Sequence, residues 1–283
     1  MLPLTDWPLE DRRRLIGVFT DIDDTLTTDG AITPDALQAL SGLKAAGLRV
    51  IPITGRPIGW CEPFANGDPL RGIAPWPLDA LVAENGAVAL APDNLCQISL
   101  QPSWNKRLQL SKIYQQSDAT RVNNVIHLQR IAAQVLHEVP GARLSQDSPG
   151  RETDIAIDHS EFAHLAPDQI ARVVALMQAA GMNASVSSIH INGWFGNHNK
   201  LTGARWIVRE LFGRDLDAER DQWVYVGDST NDQLMFQHFR HSVGVANILR
   251  FTAELTHQPR YITRRERGAG FAEVARAILA AKG

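Results

Sequence analysis

Apolar and polar positions divide the chain into three stretches. In the first, short apolar runs alternate with helical patterns. Leu15–Phe19 reads as a buried strand. Thr33 and Pro34 open a helix over Asp35 to Ala46, which Gly47 ends. Leu48–Ile53 is a second strand, and Thr54-Gly55-Arg56-Pro57 starts a loop and helix. Asp79–Ala83 is a third apolar run. Glu84-Asn85-Gly86 then turns the chain into Ala87–Leu90, which reads as a hairpin.

The middle stretch differs. Pro92 to Gly150 is polar apart from an amphipathic segment, Val122 to Val139. Asp154–Asp158 and Ala184–Ile191 alternate as half-buried strands do, with a helix from Pro167 to Ala180 between them and Asn192-Gly193 as a turn. From Asn199 the strand–helix pattern returns. It predicts a helix at Leu201–Phe212, strands at Trp223–Val226, Ser242–Val245 and Tyr261–Thr263, and a closing helix at Phe271–Ala281. The expected fold is α/β, a Rossmann-like parallel-sheet core with an inserted α+β cap domain. The core comprises 1–90 and 190–283, and the cap 91–189.

A chain of 283 residues suits two domains. Its net charge of -3 argues against nucleic-acid or membrane-surface binding by bulk electrostatics. Arg264-Arg265-Glu266-Arg267 reads as a solvated turn. Cys61 and Cys96 alone provide neither a disulfide framework nor a thiolate metal cluster. Met1 to Arg14 lacks a signal-peptide core, and no stretch is long enough to span a bilayer. The expectation is a cytoplasmic protein with no membrane or nucleic-acid partner; oligomeric state is left open.

The chemistry gathers at strand ends. Asp21 and Asp23 stand two residues apart at the exit of the first strand. Two carboxylates there are costly unless a cation or a proton offsets them. Thr54-Gly55-Arg56, Lys200 and Gly227-Asp228-Ser229-Thr230-Asn231-Asp232 follow in order. Ligands of open α/β sheets bind at the carboxyl ends of the strands, where these groups fall. The last segment lacks the spaced ligands and closing glutamate of a calcium loop.

These four motifs in this order resemble the haloacid dehalogenase superfamily of aspartate-nucleophile phosphohydrolases. The insertion resembles its class II type B cap, found in the sucrose-phosphatase, mannosyl-3-phosphoglycerate phosphatase and Cof-like group. The resemblance spans the chain in architecture and is residue-specific at the motifs. It implies that Asp21 is the nucleophile and Asp23 the general acid and base. It further implies that Thr54, Gly55, Lys200 and Asn231 hold the phosphoryl group. Mg²⁺ would be bound by Asp21, Asp23 through its main-chain carbonyl, Asp228 and Asp232. The commonest first motif of cap-bearing relatives has glycine where this chain has Asp24, which adds a third carboxylate.

Around the cap, Asn85 is either a hairpin-turn residue or a substrate contact. Arg151 is either a solvated strand end or, with Arg56, His190 and Asn192, part of substrate recognition. Trp194 either stacks on a sugar or packs the hinge. No third strong ligand accompanies the histidines at zinc spacing. The implied activity is Mg²⁺-dependent hydrolysis of a small-molecule phosphate ester, a sugar phosphate or phosphorylated glycoside, through an aspartyl-phosphate. A phosphomutase of the phosphomannomutase type is the alternative; it would favour a strongly cationic cap, and Arg121, Arg130, Arg143 and Arg151 are scattered. A silent sugar-phosphate sensor would need a broken catalytic set, whereas every expected group is present.

Overall fold

The structure, a computed structural model, describes residues 1–92 and 109–283, so Cys96 lies outside the described residues. The first part contains β1 (Leu2–Pro3), α1 (Leu9–Arg13), β2 (Gly17–Thr20), the short hairpin β3 (Thr27–Thr28) and β4 (Ala31–Ile32), α2 (Pro34–Ala45), β5 (Arg49–Pro52), α3 (Ile58–Asn66), β6 (Leu81–Ala83) and β7 (Val88–Pro92). The middle holds β8 (Leu110–Tyr114), α4 (Asp118–Glu138), β9 (Arg143–Leu144), β10 (Asp154–Asp158), α5 (Pro167–Ala179), β11 (Asn183–Val186) and β12 (His190–Trp194). The last part adds α6 (Lys200–Phe212), β13 (Trp223–Gly227), α7 (Gln233–His238), β14 (His241–Gly244), β15 (Tyr261–Ile262) and α8 (Arg267–Lys282).

A parallel sheet in the order β1-β15-β14-β13-β2-β5 forms the core. Alternation along its strands feeds two apolar layers. Val18, Val50, Val224 and Val243 pack with α2 and α8, while Phe19, Ile51, Trp223 and Tyr225 pack with α6 and α7. Each such fully buried side chain contributes about 1.5–3 kcal/mol. Strands β2 and β13 are adjacent, with Thr20 opposite Val226. The segments that follow them, carrying Asp21 and Asp228, therefore emerge side by side.

A second, four-stranded sheet has the order β11-β12-β10-β9 and is antiparallel throughout. One face packs against α4 and α5 through Leu128, Ile131, Val135, Ile157, Val173, Met177 and Ile191. Asp154, His190 and Asn192 stand on alternate positions and contribute to the other, polar face. This is the expected α+β cap.

Two expectations are corrected here. Asn192-Gly193 is no turn. Both residues lie inside β12, with Asn192 paired to Ala156 and Gly193 to Ile155, and the chain reverses instead at Ser187 to Ile189. Glycine suits this strand because a Cβ there would stand 2.7 Å from Met177 Sδ, so its absence lets α5 sit close on the sheet. The reversal also places His190 to Trp194 in the cap sheet, so a boundary at 189/190 would split a hairpin. At the other end, β8 pairs with β7 from Val88 opposite Tyr114 to Pro92 opposite Leu110. That three-stranded β6-β7-β8 sheet adjoins the core through the Ile53–Val82 bridge. Among the described residues no helix is long and apolar enough to cross a membrane.

The first turn of α6 rests on the Glu84–Gly86 turn. Gly86 has φ 106°, and a Cβ on it would lie 2.4 Å from the Asn199 carbonyl oxygen. A Cβ on Gly203 would lie 2.6 Å from Gly86 Cα. Since backbone cannot move aside as a side-chain tip does, Gly203→Ala is expected to cost about 1–3 kcal/mol and lower the melting temperature by several degrees. Thermal melts check this; an unchanged melting temperature would mean α6 is free to shift.

Candidate active site

Asp21 follows β2 directly and its backbone N–H donates to the Val226 carbonyl at 2.9 Å, tying it to β13. Lys200 is the first residue of α6. Its position is set by Asn199, whose side chain caps the helix by accepting from Thr202 N–H at 3.0 Å. Lys200 Nζ donates to Asp21 Oδ1 and to Asp232 Oδ1, each at 2.7 Å. Asp232 also accepts from the Tyr225 hydroxyl, from Asp228 N–H at 2.9 Å and from Ser229 N–H at 3.3 Å. Four donors thus orient its carboxylate.

Asp228 is buried and accepts from Asn247 Nδ2 at 3.0 Å and from Thr25 Oγ1 at 3.4 Å. Asp21, Asp228 and Asp232 can each offer one oxygen such that all three lie within 4.8 Å of one another. Burial pushes the Asp21 carboxyl up, Lys200 pulls it back, and Asp232 and Asp23 raise it again, to about 7. Burial, then Asp21 and Asp232, hold Asp228 well above the carboxylate range. Burial works against the Lys200 charge, but Asp21 and Asp232 outweigh it and hold the ammonium above its ordinary value. Three buried carboxylates facing one ammonium fit a further hard cation, and the all-oxygen donor set suits a metal of the magnesium kind.

Asp23 points elsewhere. Its carboxylate accepts from Arg56 Nε at 3.0 and 3.1 Å and from Arg56 Nη2 at 2.9 Å. Arg56 continues into the cap, donating from Nη1 to Asp147 at 3.0 Å and from Nη2 to Glu161 at 2.7 Å. His190 Nε2 lies 2.8 Å from Glu161. The Gly55 carbonyl accepts from Arg151 at 3.0 Å and Asn192 at 3.2 Å, both of which also bond Asp154. Thr54 is buried, its hydroxyl accepting from Arg56 N–H at 3.1 Å.

Most of the expected site converges. Asp21, Asp23, Thr54, Gly55, Arg56, His190, Asn192 and Asn231 line one pocket of about 10 Å³, scarcely room for a water, so the cap is closed. Lys200, Asn231 and Asn85 line an adjoining cleft of about 620 Å³ with Trp194 and His198. Asn85 Nδ2 is buried there without a partner among the described residues. Trp194 packs on His198, ring centroids 5.7 Å apart. Arg151 lies in neither pocket and instead clasps Gly55.

Several partners were not foreseen. Asn247 joins the first and fourth motifs, since Nδ2 donates to the Asp24 carbonyl as well as to Asp228 while Oδ1 accepts from Arg267 N–H at 2.9 Å. It follows β14, and a polar residue just past an apolar strand was the available signal. Asp24 has φ 53°, and its carboxylate lies 3.1 Å from Arg267 Nε, within ion-pair distance but poorly aligned for a hydrogen bond. Arg267 is thus no solvated turn residue; it opens α8 and faces the site loops. Glu84, fully buried in the core, accepts from Ile58 N–H and from the cap's Glu152 and Thr153 N–H groups.

Comparison with known proteins places these features. Residues 18–131 match the family model of the haloacid dehalogenase-like hydrolases. The resemblance drawn from the four motifs is borne out in that match, and the solved structures share the parallel-sheet core with its cap. Among solved structures, a Thermoplasma acidophilum protein aligns with TM-score 0.67 at 16% identity, covering 93% of this chain and 98% of that one. The Synechocystis sucrose-phosphatase, solved with sucrose and phosphate, aligns at 0.63 and 15%, covering 94% and 98%. The C-terminal domain of Candida albicans trehalose-6-phosphate phosphatase aligns at 0.62 and 14%, covering 99% and 98%. At these identities the likeness is one of fold. No curated protein matches the chain.

Glu84 generates a stability prediction. Burial, then Asp154, raise its carboxyl to about 7, against the Thr153 and Ile58 bonds and Arg151, which lower it. A raised folded value means the folded state holds a proton that the unfolded chain releases between about 4.5 and 7, so this contribution is largest below that window and is lost as pH rises through it. Glu84→Gln removes an acceptor facing several donors and is expected to cost about 1–3 kcal/mol. Melting curves from pH 4.5 to 8 should show the variant's deficit shrinking as pH rises; a widening deficit would contradict this account.

Proposed function

We propose that the chain is a phosphomonoesterase that hydrolyses a sugar phosphate or phosphorylated glycoside through an aspartyl-phosphate on Asp21, with Mg²⁺ as cofactor. The observation that carries this reading is the buried Lys200 bridge between Asp21 and Asp232, with Asp228 beside it. That is a charge-neutralising cradle around one carboxylate at a strand end, and phosphoryl transfer depends mainly on such positioning and neutralisation.

Asp21 attacks phosphorus as the bond to the alcohol oxygen breaks, and Asp23 gives its proton to that departing oxygen. Water then attacks the aspartyl-phosphate, handing a proton to Asp23 as the Asp21–phosphorus bond breaks. The Thr54 hydroxyl, the Gly55 N–H and Asn231 donate to the phosphoryl oxygens, while Lys200 offsets their charge. Asp21, Asp228 and the Asp23 main-chain carbonyl would hold the Mg²⁺, which supplies further neutralisation of the phosphate when bound. Asp232, with four donors on its oxygens, serves chiefly to orient Lys200. Arg56, His190 and Asn192 face the alcohol part of the substrate. Because the pocket is closed, the four-stranded cap must lift to admit the ester and settle again to exclude water.

Asp21→Asn is expected to lose several orders of magnitude in turnover at unchanged fold, since an amide forms no acyl-phosphate. Phosphate release by the freshly purified variant, with reversion by deamidation excluded by mass, checks this; full activity would sink the assignment. Chelation should stop the wild type and added Mg²⁺ restore it, whereas activity surviving exhaustive chelation would contradict the metal reading.

Asp23→Ala should impair alkyl phosphates more than an activated aryl phosphate, because a phenolate of low pKa leaves without a proton. Parallel steady-state rates test this, and equal losses would remove Asp23 as the general acid.

A further inference from the structure

Resting on the phosphatase reading, we propose that Asp147 and Glu161 of the cap select a substrate whose alcohol part is uncharged and rich in hydroxyls. They would turn away esters that carry a second anion. The two guanidinium groups that meet the site loops, at Asp23 and at the Gly55 carbonyl, are already answered by carboxylates. Arg56 is bonded to Asp23, Asp147 and Glu161, and its side chain is 6% exposed and lies over the Trp60 ring at 4.9 Å. Arg151 is bonded to Asp147 at 3.1 Å and to Asp154 at 2.9 Å.

Among the described residues, neither of these two guanidinium groups is left free to receive a carboxylate or a second phosphate. Such a group would be set against Asp147 and Glu161 in a site with little water. Burial works to raise both carboxyls, but it is outweighed. Arg151, Ser145, His190 and Arg56 hold Asp147 down at about 2, and His190 and Arg56 hold Glu161 at about 2. Both are therefore anionic at any working pH. Like charges at close range discriminate strongly between ligands.

The pocket's own cap groups, Ser187, Ser188, His190 and Asn192, offer hydrogen bonds to sugar hydroxyls, and Asp147 and Glu161 stand directly behind the Arg56 and His190 side chains that line it. The leaving oxygen must meet Asp23, and Asp23 shares Arg56 with this acidic pair. The alcohol part thus extends toward Asp147 and Glu161 rather than away from them. Glycerate-type and bisphosphate esters, including a mutase's bisphosphate intermediate, are the class this arrangement excludes.

The test uses the full chain with Mg²⁺ and measures kcat/KM on two panels. The neutral panel is glucose 6-phosphate, trehalose 6-phosphate and sucrose 6-phosphate. The anionic panel is 3-phosphoglycerate, mannosyl-phosphoglycerate and glucose 1,6-bisphosphate. An aryl phosphate, p-nitrophenyl phosphate, reports turnover as such. The best neutral ester should exceed the best anionic one by at least about 100-fold. In Glu161→Gln and, independently, Asp147→Asn, that ratio should fall at least about tenfold, chiefly through a lower KM for the anionic esters. If the aryl phosphate is cleaved but no neutral ester is preferred, or if neither variant moves the ratio, the selection proposal is overturned while the phosphatase reading stands. If no ester in either panel nor the aryl phosphate releases phosphate, the phosphatase reading fails and this inference falls with it.

Discussion

Everything at the site depends on keeping a buried lysine charged between two buried aspartates. Taking three ions out of water costs several kcal/mol per ion, and only close, fully hydrogen-bonded geometry offsets that. The fold supplies it from three directions. Strand β2 delivers Asp21, the segment after β13 delivers Asp232, and the capped first turn of α6 delivers Lys200. Tyr225 and the Asp228 and Ser229 N–H groups fill the remaining acceptor positions on Asp232. Each donor lost would leave an acceptor position of a buried carboxylate unfilled, so rigidity in this region follows from electrostatics as much as from packing.

Around that fixed centre, the cap is attached by contacts of a different kind. Core carbonyls and carboxylates meet cap donors and the reverse. Gly55 receives Arg151 and Asn192, Glu84 receives two cap N–H groups, and Arg56 reaches Asp147 and Glu161. These are polar contacts, whereas each of the two layers has its own apolar core. An interface held by hydrogen bonds and ion pairs can exchange its partners for water at modest net cost. Such a surface can part without exposing either apolar core.

The core and its four motifs were legible because the signals were local. Short apolar runs ended at Asp21, Thr54 and Asp228, and strand ends are where an open parallel sheet places ligands. The cap was legible as a change in pattern but not in its limits. Asn192-Gly193 carries the composition of a turn, yet the reason for Gly193 is Met177, sixteen positions earlier and on another element. Pairing of β8 with β7 likewise has no local trace. The second partners of the site, Asn247, Glu84, Asp147 and Glu161, are ordinary polar residues in sequence. Their roles come from contacts that only the tertiary fold creates, such as Asn247 touching both Asp24 and Asp228. Arg56 was expected to meet substrate, but the three carboxylates that share its charge could not be foreseen.

Asp24 carries a last consequence. Its backbone sits at φ 53°, where side chains bearing a Cβ are strained and glycine, asparagine and aspartate are tolerated best. The loop needs that kink to bring the Asp24 carbonyl to Asn247 while its neighbour Asp23 turns to Arg56. The position after Asp23 is therefore constrained in backbone shape, a shape that glycine and aspartate can each meet. An aspartate that meets that shape adds what glycine could not offer, a carboxylate within ion-pair distance of Arg267 at the start of the C-terminal helix.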